Sequence, residues 1–431
     1  MQSLNTDKTT MSTTAESHLL RNTNFRWLLG GGLVSMLGDQ FSMLALPWLV
    51  LSLTNDSLSL GIAVALMGAP RAVLILFGGA IADRYSPQRV LQLSKYANAA
   101  ILLALSGLLM LDQASLALAY AAALALGIAS AFAIPAGTAI LPQAVPPQSL
   151  QSANGLQMGA RQLSLLAGPL LAALVLGAHG GGQKTAMAAL AAAFAIDALT
   201  FLFSVWTLRQ VKLRPLAAAT VQGMWRDMAA GLAMVWRDLP LRSCYAYWAV
   251  VAFFVMGPLQ VALPVLASER LHGAAALGLL MGAHGAGTLA GMLASSLGGT
   301  WLRRRFGATL LLVDAVVGLL LMGLGQVDTA WQGAALLAVT GLLGGYLQVA
   351  IFTWIQRRVA PAMLGRAMAL FMGIFLGLAP LSAAATGALL RHVTVGELFC
   401  GGGALLLAAA VAAALLTGIP RIGEADCVIQ P

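Results

Sequence analysis

The chain has 431 residues, of which 59% are hydrophobic and only 9% are charged, and its mean hydropathy is +0.85. Soluble domains carry about a quarter charged residues, so this composition excludes an ordinary soluble protein and indicates a polytopic membrane protein. The net charge of +9 does not indicate nucleic-acid binding, because the basic residues lie in separate segments between the apolar runs and not in one patch.

Apolar runs long enough to cross a bilayer, which takes about 20 residues, recur along the whole chain. They predict an all-α membrane protein with twelve transmembrane helices arranged as two six-helix halves. The predicted spans are 26–53, 58–82, 90–111, 115–141, 152–178, 185–208, 243–267, 274–300, 307–327, 332–356, 366–390 and 397–418. The predicted divisions are a disordered cytoplasmic tail at 1–24, a bundle at 25–208, a linker at 209–240, a second bundle at 241–418 and a tail at 419–431.

The basic residues predict the orientation of the chain. With the N-terminus assigned to the cytoplasm, most of the 24 Lys and Arg residues fall on the cytoplasmic side, and Lys95 is counted among them. The opposite side receives only Lys184, Arg270 and Arg391. This asymmetry predicts a multi-pass protein of the cytoplasmic (inner) membrane with both termini in the cytoplasm.

The two halves repeat a short pattern, Val-x-Pro-x-x-Leu-x-x-Ala, at 145–153 and again at 359–367. Its recurrence predicts parallel repeats about an axis along the membrane normal, with a substrate site near mid-bilayer between the halves. In the linker, the triplet at 225–227 recurs at 236–238, so both Trp residues share one helix face. We interpret the linker as an amphipathic interfacial helix that tethers the halves, and the alternative is a regulatory or partner-binding segment.

Ionisable residues inside spans are costly and therefore mark candidate functional positions. Asp39 and Arg71 lie at matched depth in the first two spans, and Arg161 and Asp197 do so in spans five and six. We predict the pairs Asp39–Arg71 and Arg161–Asp197, whose carboxylates could alternate between protonated and paired states; the alternative is static ion pairs that fix helix packing. His284 in span eight could line a cavity or be an ordinary core histidine.

The loop after the second span carries Gly79, Asp83, Arg84 and Arg89. This spacing resembles the Gly-x-x-x-Asp-Arg-x-x-x-x-Arg motif of major facilitator superfamily transporters. The resemblance implies the major facilitator fold and a gating role for these four residues, whose charges would latch the cytoplasmic ends of the two halves. The residues at 86–88 depart from the Gly and basic residues usual there, and the second half has three Arg at 303–305, so any latch is asymmetric.

The fifth span contains Gly155, Ser164, Gly168 and Pro169 at a spacing that resembles the antiporter motif of superfamily exporters. Small residues allow two helix backbones to approach closely, and a proline removes one backbone donor and kinks a helix. We interpret these four residues as a helix-packing motif.

Segments 38–48, 132–155 and 196–201 resemble the branch of that superfamily that holds macrolide efflux pumps and the enterobactin exporter. The resemblance implies proton-coupled antiport that exports an amphiphilic small molecule, a drug or a secondary metabolite such as a siderophore. Span four lacks the embedded Arg of many drug–proton antiporters, so coupling needs other groups. The alternatives are a metabolite importer or facilitator, and a lipid flippase of the same fold.

Other chemistry has little support in the sequence. The stretch 177–185 has one residue too many for a phosphate-binding loop, and the three Cys have no metal-like or paired spacing. We therefore expect no enzymatic activity, no cofactor and no metal. The expected partners are a small-molecule substrate, protons and membrane lipids, and we expect a monomer.

Overall fold

The structure, a computed structural model, describes residues 19, 21–177, 183–214, 224–271, 273–297 and 305–423, without the side chains of 75–84, 183–184, 224–228, 296–297 and 361–362. The described residues form helices and short connections. The helices are α1 Thr23–Thr54, α2 Ser57–Arg84, α3 Pro87–Met110, α4 Leu116–Ala144, α5 Leu150–Gly177, α6 Gln183–Gln210, α7 Met224–Arg237, α8 Leu239–Gly257, α9 Leu263–Glu269, α10 Ala274–Leu297, α11 Phe306–Leu324, α12 Ala330–Arg358, α13 Pro361–Leu389 and α14 Val395–Leu416. A π-helical segment, Pro258–Ala262, joins α8 to α9.

Twelve helical segments within the described residues are long and apolar enough to cross a membrane, counting α8 to α9 as one. This count confirms the predicted all-α, twelve-helix architecture. A hydrocarbon core offers no water to unpaired backbone groups, so a chain of such apolar runs satisfies them within helices.

Polar residues at the connections define where helices start and stop. Asn55 and Asp112 adopt left-handed backbone conformations (φ 49° and 57°) in tight connections after α1 and α3. Thr394 begins α14 with a capping box, in which its side chain accepts from the Glu397 amide and the Glu397 carboxylate accepts from the Thr394 amide. Such caps satisfy amide groups that a helix start leaves without intrahelical partners.

Contacts group the chain into two compact units, one of Met1–Leu46 with Val73–Thr220 and the other of Pro47–Ala72 with Val221–Pro431. The grouping differs from the predicted bundles at 47–72, the end of α1 and the first half of α2, which packs with the second unit. The division into bundles 25–208 and 241–418 stays a prediction.

Each unit has its own helix pairs. In the first unit, α3 packs between α4 and α6. In the second unit, α10 packs against α12, α11 against α14, and α8 against α13. Aromatic side chains fill part of the second unit, where the Trp248 ring lies 5.1 Å from that of Phe371 and the Phe306 ring stacks 5.1 Å from that of Trp354.

The predicted linker contains α7, which belongs to the second unit. Leu232 and Trp236 on this helix are exposed, whereas Gly231 and Val235 are buried, with Gly231 beside the side chain of Arg366. One apolar face is thus left uncovered by the described residues. The position of this helix at the membrane interface stays a prediction.

Candidate functional site

Asp197 is a carboxylate buried halfway along α6, and it is 1% exposed. Ser42 of α1 donates its hydroxyl hydrogen to Asp197 Oδ2. The Thr200 hydroxyl, one turn along α6, lies 3.3 Å from Asp197 Oδ1. Asp39 and Lys95 also act on this carboxylate electrostatically. A buried carboxylate requires such donors and counter-charges, because burial without them costs several kcal/mol.

Lys95 supplies the positive charge of this group. It lies about 12 Å from the first residue of α3, at 1.5 Å per residue, and is only 9% exposed. Its ammonium nitrogen is 2.7 Å from the Ser35 hydroxyl and 5.3 Å from the centroid of the Phe201 ring. It interacts electrostatically with both Asp39 and Asp197. The assignment of Lys95 to the cytoplasmic side was therefore wrong, since it lies inside the third span.

The residues of α1 that meet α6 are small for a steric reason. A Cβ atom at Gly38 would lie 2.6 Å from Asp197 Oδ1, closer than real contacts allow. Ser35, Gly38 and Ser42 recur at helical spacing and share one face of α1. This face admits the Asp197 side chain and supplies it with a hydroxyl donor. We call Asp39, Asp197, Lys95, Ser35 and Ser42 the buried charge cluster, in which Asp39 and Ser42 are half-buried and the other three are buried.

The predicted ion pairs have different outcomes. Asp39 lies in the buried charge cluster of the first unit, while Arg71 is half-buried in the part of α2 that groups with the second unit, so the pair Asp39–Arg71 stays a prediction. The structure does not bring Arg161 to Asp197. Arg161 is exposed on α5, and Asp197 instead has Ser42, Thr200 and the charge of Lys95. Matched depth along two helices does not fix which faces meet.

Of the four predicted gating residues, only Arg89 has a side chain among the described residues. Gly79, Asp83 and Arg84 lie in the stretch of α2 whose side chains are outside the described residues. Arg89 is exposed in the first turn of α3. Its neighbour Gln88 donates to the Leu208 and Val211 carbonyl oxygens, the latter at 3.0 Å, and so ties the start of α3 to the end of α6. The gating role of all four predicted residues stays a prediction.

The predicted packing motif of α5 divides into two parts. Gly168 and Pro169 are buried, and a Cβ at Gly168 would overlap the side chain of Gln40 on α1. Ser164 is buried and donates to the Ala160 carbonyl oxygen at 2.9 Å within its own helix. A Cβ at Gly155, in contrast, would meet no atom within 4 Å. Close packing therefore explains Gly168 and not Gly155.

His284 lies in α10, and its backbone is pressed against α12. A Cβ at Gly341 would lie 3.0 Å from the His284 carbonyl carbon, so the two backbones are in direct contact. The Thr288 hydroxyl also donates to the His284 carbonyl oxygen, at 2.8 Å. The cavity role of its side chain stays a prediction.

A cavity of about 510 Å³ lies in the second unit at the ends of its helices. Its lining is polar and includes Asp56, Glu269, Arg391, His392 and Glu397. None of the predicted site residues lines it. Sequence reasoning missed Asp56 and Arg391 because loop charges near spans are common, and a single sequence gives no signal that two loops far apart in the chain meet.

Comparison with known proteins gives the family. A family model described as Major Facilitator Superfamily matches residues 28–384. The enterobactin exporter EntS of Citrobacter koseri is 26% identical over 329 residues, which cover 75% of this chain and 74% of that protein. The uncharacterized MFS-type transporter y4rN of Sinorhizobium fredii is 28% identical over 258 residues, which cover 59% of this chain and 60% of that protein.

Solved structures agree on the fold. A bacterial homologue of the iron transporter ferroportin has a TM-score of 0.70 at 16% identity, and the match covers 91% of this chain and 98% of that one. The nucleoside transporter NupG has a TM-score of 0.68 at 15% identity, with coverage of 90% and 99%. With twelve apolar helices and a family model that matches most of its length, this chain is a multi-pass membrane protein and belongs to the Major Facilitator Superfamily.

Proposed function

We propose that this transporter exports an amphiphilic small organic molecule, a drug or a secondary metabolite such as a siderophore, in exchange for protons. It acts by alternating access in the cytoplasmic membrane, with both termini in the cytoplasm. The similarity to EntS supports the direction and the substrate class. The excess of Lys and Arg in segments on one side supports the orientation.

The observation that carries the proposal is the buried charge cluster. Asp39 and Asp197 are two carboxylates that share one ammonium group, Lys95, inside the membrane-spanning part of the first unit. A carboxylate in an apolar interior gains or loses a proton when a nearby cation or hydrogen-bond donor moves away or returns. A proton that binds and leaves in this way is what coupling to a proton gradient requires.

Inverted membrane vesicles with an imposed proton gradient and a pH-sensitive dye test the proposal. The panel contains macrolides, cationic dyes, and catecholate and hydroxamate siderophores. We expect one class to trigger proton release in wild-type vesicles and to give no release with Asp39→Asn.

The matched control is Asp314→Asn, which replaces a carboxylate of the second unit that lies inside a span and is 5% exposed. This variant should release protons as the wild type does. Normal proton-coupled transport by Asp39→Asn would show that the coupling assignment is wrong. Substrate movement without any proton release would favour facilitated diffusion instead.

A further inference from the structure

In the first unit, α3 and α6 each present an apolar face that the described residues leave exposed. On α3, the exposed residues after its first turn are Leu93, Tyr96, Ala100, Leu103, Ala104, Gly107 and Met110. They recur at helical spacing and form one stripe along the helix, opposite the side that packs between α4 and α6. On α6, Leu199, Phe203 and Trp206 form a similar stripe. Because both helices are membrane spans and both stripes are apolar, we expect the acyl chains of the bilayer to cover them.

Arg209 places a positive charge at the end of this apolar surface, in the last turn of α6. Its guanidinium lies over the ring of Tyr96, 5.7 Å from the centroid, and a terminal nitrogen donates to the Tyr96 hydroxyl at 2.5 Å. Arg209 stands three residues after Trp206, so both lie on the same side of α6. Tyr and Trp rings are enriched where a membrane passes from acyl chains to headgroups. The cation is thus held at the level where lipid phosphates lie.

Two contacts fix the end of α6 against α1. The ring of Trp206 packs edge-on against that of Trp27, with centroids 5.2 Å apart. The Asn24 side chain donates to the Lys212 carbonyl oxygen at 3.0 Å and accepts from the Lys212 amide at 3.1 Å. The side chains of Arg209 and Lys212 are both exposed. The backbone that carries these two cations is therefore already ordered, which lowers the entropic cost of binding a ligand.

The charge at this end of the first unit is of one sign. The exposed basic side chains near the starts of α1 and α3 and the end of α6 are Arg21, Arg26, Arg89, Arg209, Lys212 and Arg214. Among the side chains that the structure describes, this end carries no acidic group, because Asp39 and Asp197 lie within spans and Asp112 follows the opposite end of α3. The surface is therefore complementary to a negatively charged headgroup.

We propose that Tyr96, Trp206, Arg209 and Lys212 form a binding site for one anionic phospholipid, which we call the lipid site. The acyl chains lie along the stripes of α3 and α6, and the phosphate oxygens accept hydrogen bonds from Arg209 and Lys212. In the predicted orientation, the lipid belongs to the cytoplasmic leaflet. It is a resident ligand and not the transported molecule, so the inference goes beyond the proposed function and does not depend on it.

Native mass spectrometry of the purified full-length protein, stripped of lipid in detergent, tests the inference. Phosphatidylglycerol or phosphatidylcholine with the same acyl chains is added in a concentration series, and the apparent Kd of the first bound lipid is measured. We expect phosphatidylglycerol to bind more tightly. Arg209→Gln should weaken its binding about 5-fold, and Arg209→Gln with Lys212→Gln about 30-fold, since each cation near an anionic headgroup adds a similar factor.

The matched control is Arg237→Gln, because Arg237 is also exposed in the last turn of its helix but belongs to the second unit. This variant should leave the binding of phosphatidylglycerol unchanged. Equal losses in Arg209→Gln and Arg237→Gln would show that binding follows the overall charge of the protein, and would overturn the inference. Equal affinity of the wild type for the two lipids would overturn it as well.

Fluorescence locates the bound lipid. Phosphatidylglycerol brominated near the carbonyl ends of its acyl chains should quench Trp emission more than brominated phosphatidylcholine does, and this excess should disappear in Trp206→Phe. An excess that persists in Trp206→Phe would place the lipid elsewhere and overturn the site. A dimer in the mass spectra that Trp206→Phe dissociates, without any lipid preference, would assign this face to a second copy of the chain instead.

Tyr96→Phe separates lipid binding from stability. It keeps the ring beneath Arg209 and removes the hydroxyl that accepts from the guanidinium, so the affinity for phosphatidylglycerol should fall while the Tm in detergent without lipid stays the same. Added phosphatidylglycerol should raise the Tm of the wild type more than that of Arg209→Gln, because a ligand that binds only the folded state stabilises it. A lower Tm of Tyr96→Phe with unchanged lipid affinity would show that the contact is only structural, and would overturn the inference.

Discussion

Arg391 binds Asp56 through two nitrogen atoms, with Nε 2.9 Å from Oδ1 and a terminal nitrogen 2.8 Å from Oδ2. Asp56 lies between α1 and α2, and Arg391 follows α13. Beside this pair, the Ser57 hydroxyl donates to the Gly387 carbonyl oxygen at 3.2 Å. A bidentate guanidinium–carboxylate pair fixes orientation as well as distance. This contact holds the start of α2 next to the end of α13. In the predicted orientation, it lies on the side of the membrane away from the cytoplasm.

Removing this ion pair should expose the first residue of α2, Ser57. We expect Asp56→Asn to raise the labelling rate of a Cys at position 57 by a membrane-impermeant maleimide about 2- to 5-fold, the effect of about 0.5 to 1 kcal/mol for a partly exposed pair. The charge reversal Asp56→Arg with Arg391→Asp should restore slow labelling. Asp328→Asn, at an exposed position in another connection, is the control and should change nothing.

The same contact should not respond to physiological changes of pH. The hydrogen bond from Arg391 holds the pKa of Asp56 well below its usual range, against the opposing effect of partial burial. A carboxylate with a lowered pKa contributes stability above its ordinary pKa and loses it only as the pH falls through the lowered value. The ratio of the labelling rates with and without Asp56→Asn should therefore be constant between about pH 5 and 8, because the thiolate fraction of the Cys rises with pH in both proteins. At a fixed pH, labelling with Asp56 present should increase between about 0.1 and 1 M salt, because salt screens exposed charges.

The crossing of α2 and α13 depends on two glycines. A Cβ at Gly61 would lie 3.0 Å from the Gly387 Cα, and one at Gly387 would lie 2.6 Å from the Ser57 carbonyl oxygen. We expect Gly387→Ala to destabilise the protein by about 1 to 3 kcal/mol through overpacking, measured as a lower Tm in detergent. Gly377→Ala on the same helix is the control, because a Cβ there would meet no atom within 4 Å. Equal Tm values for the two variants would contradict a tight crossing.

The sequence predicted the helices well and their contacts poorly. Long apolar runs leave little choice of secondary structure in a membrane, so the twelve spans followed from hydropathy. Asp197 was recognised because a carboxylate in an apolar span is costly. The groups around Asp197 could not be predicted, because hydropathy carries no information on which helix faces meet. Matched depth favours Arg161, whereas the structure places Ser42, Thr200 and the charge of Lys95 there.

A signal for Lys95 was nevertheless present in the sequence. It stands well inside the predicted span 90–111, where a cation is costly unless it is paired. Asp197, Thr200 and Phe201 are spaced three and four residues apart and so share a helix face. Ser35, Gly38 and Ser42 share a face of α1 by the same rule. Two polar faces and one buried cation predict a meeting point, although not its geometry.

A second bidentate pair, at the start of α8, allows its two roles to be separated. Asp238 is the N-cap of α8, and its carboxylate accepts a hydrogen bond from the Leu241 amide at 3.0 Å. The same carboxylate also accepts from Arg358, whose Nε and terminal nitrogen each lie 3.0 Å from Oδ2. Asp238→Ser keeps a capping hydroxyl and loses the ion pair, whereas Asp238→Ala loses both.

We therefore expect a graded loss of stability from the wild type through Asp238→Ser to Asp238→Ala. The cap contributes about 0.5 to 2 kcal/mol, so the free energy of unfolding of Asp238→Ala, measured by denaturant titration, should be lower than that of Asp238→Ser by this amount. In a background of Arg358→Met, the cost of Asp238→Ser should nearly vanish while the further cost of Asp238→Ala remains, because the cap does not depend on Arg358. Equal losses for Asp238→Ser with and without Arg358 would show that the ion pair adds nothing to stability.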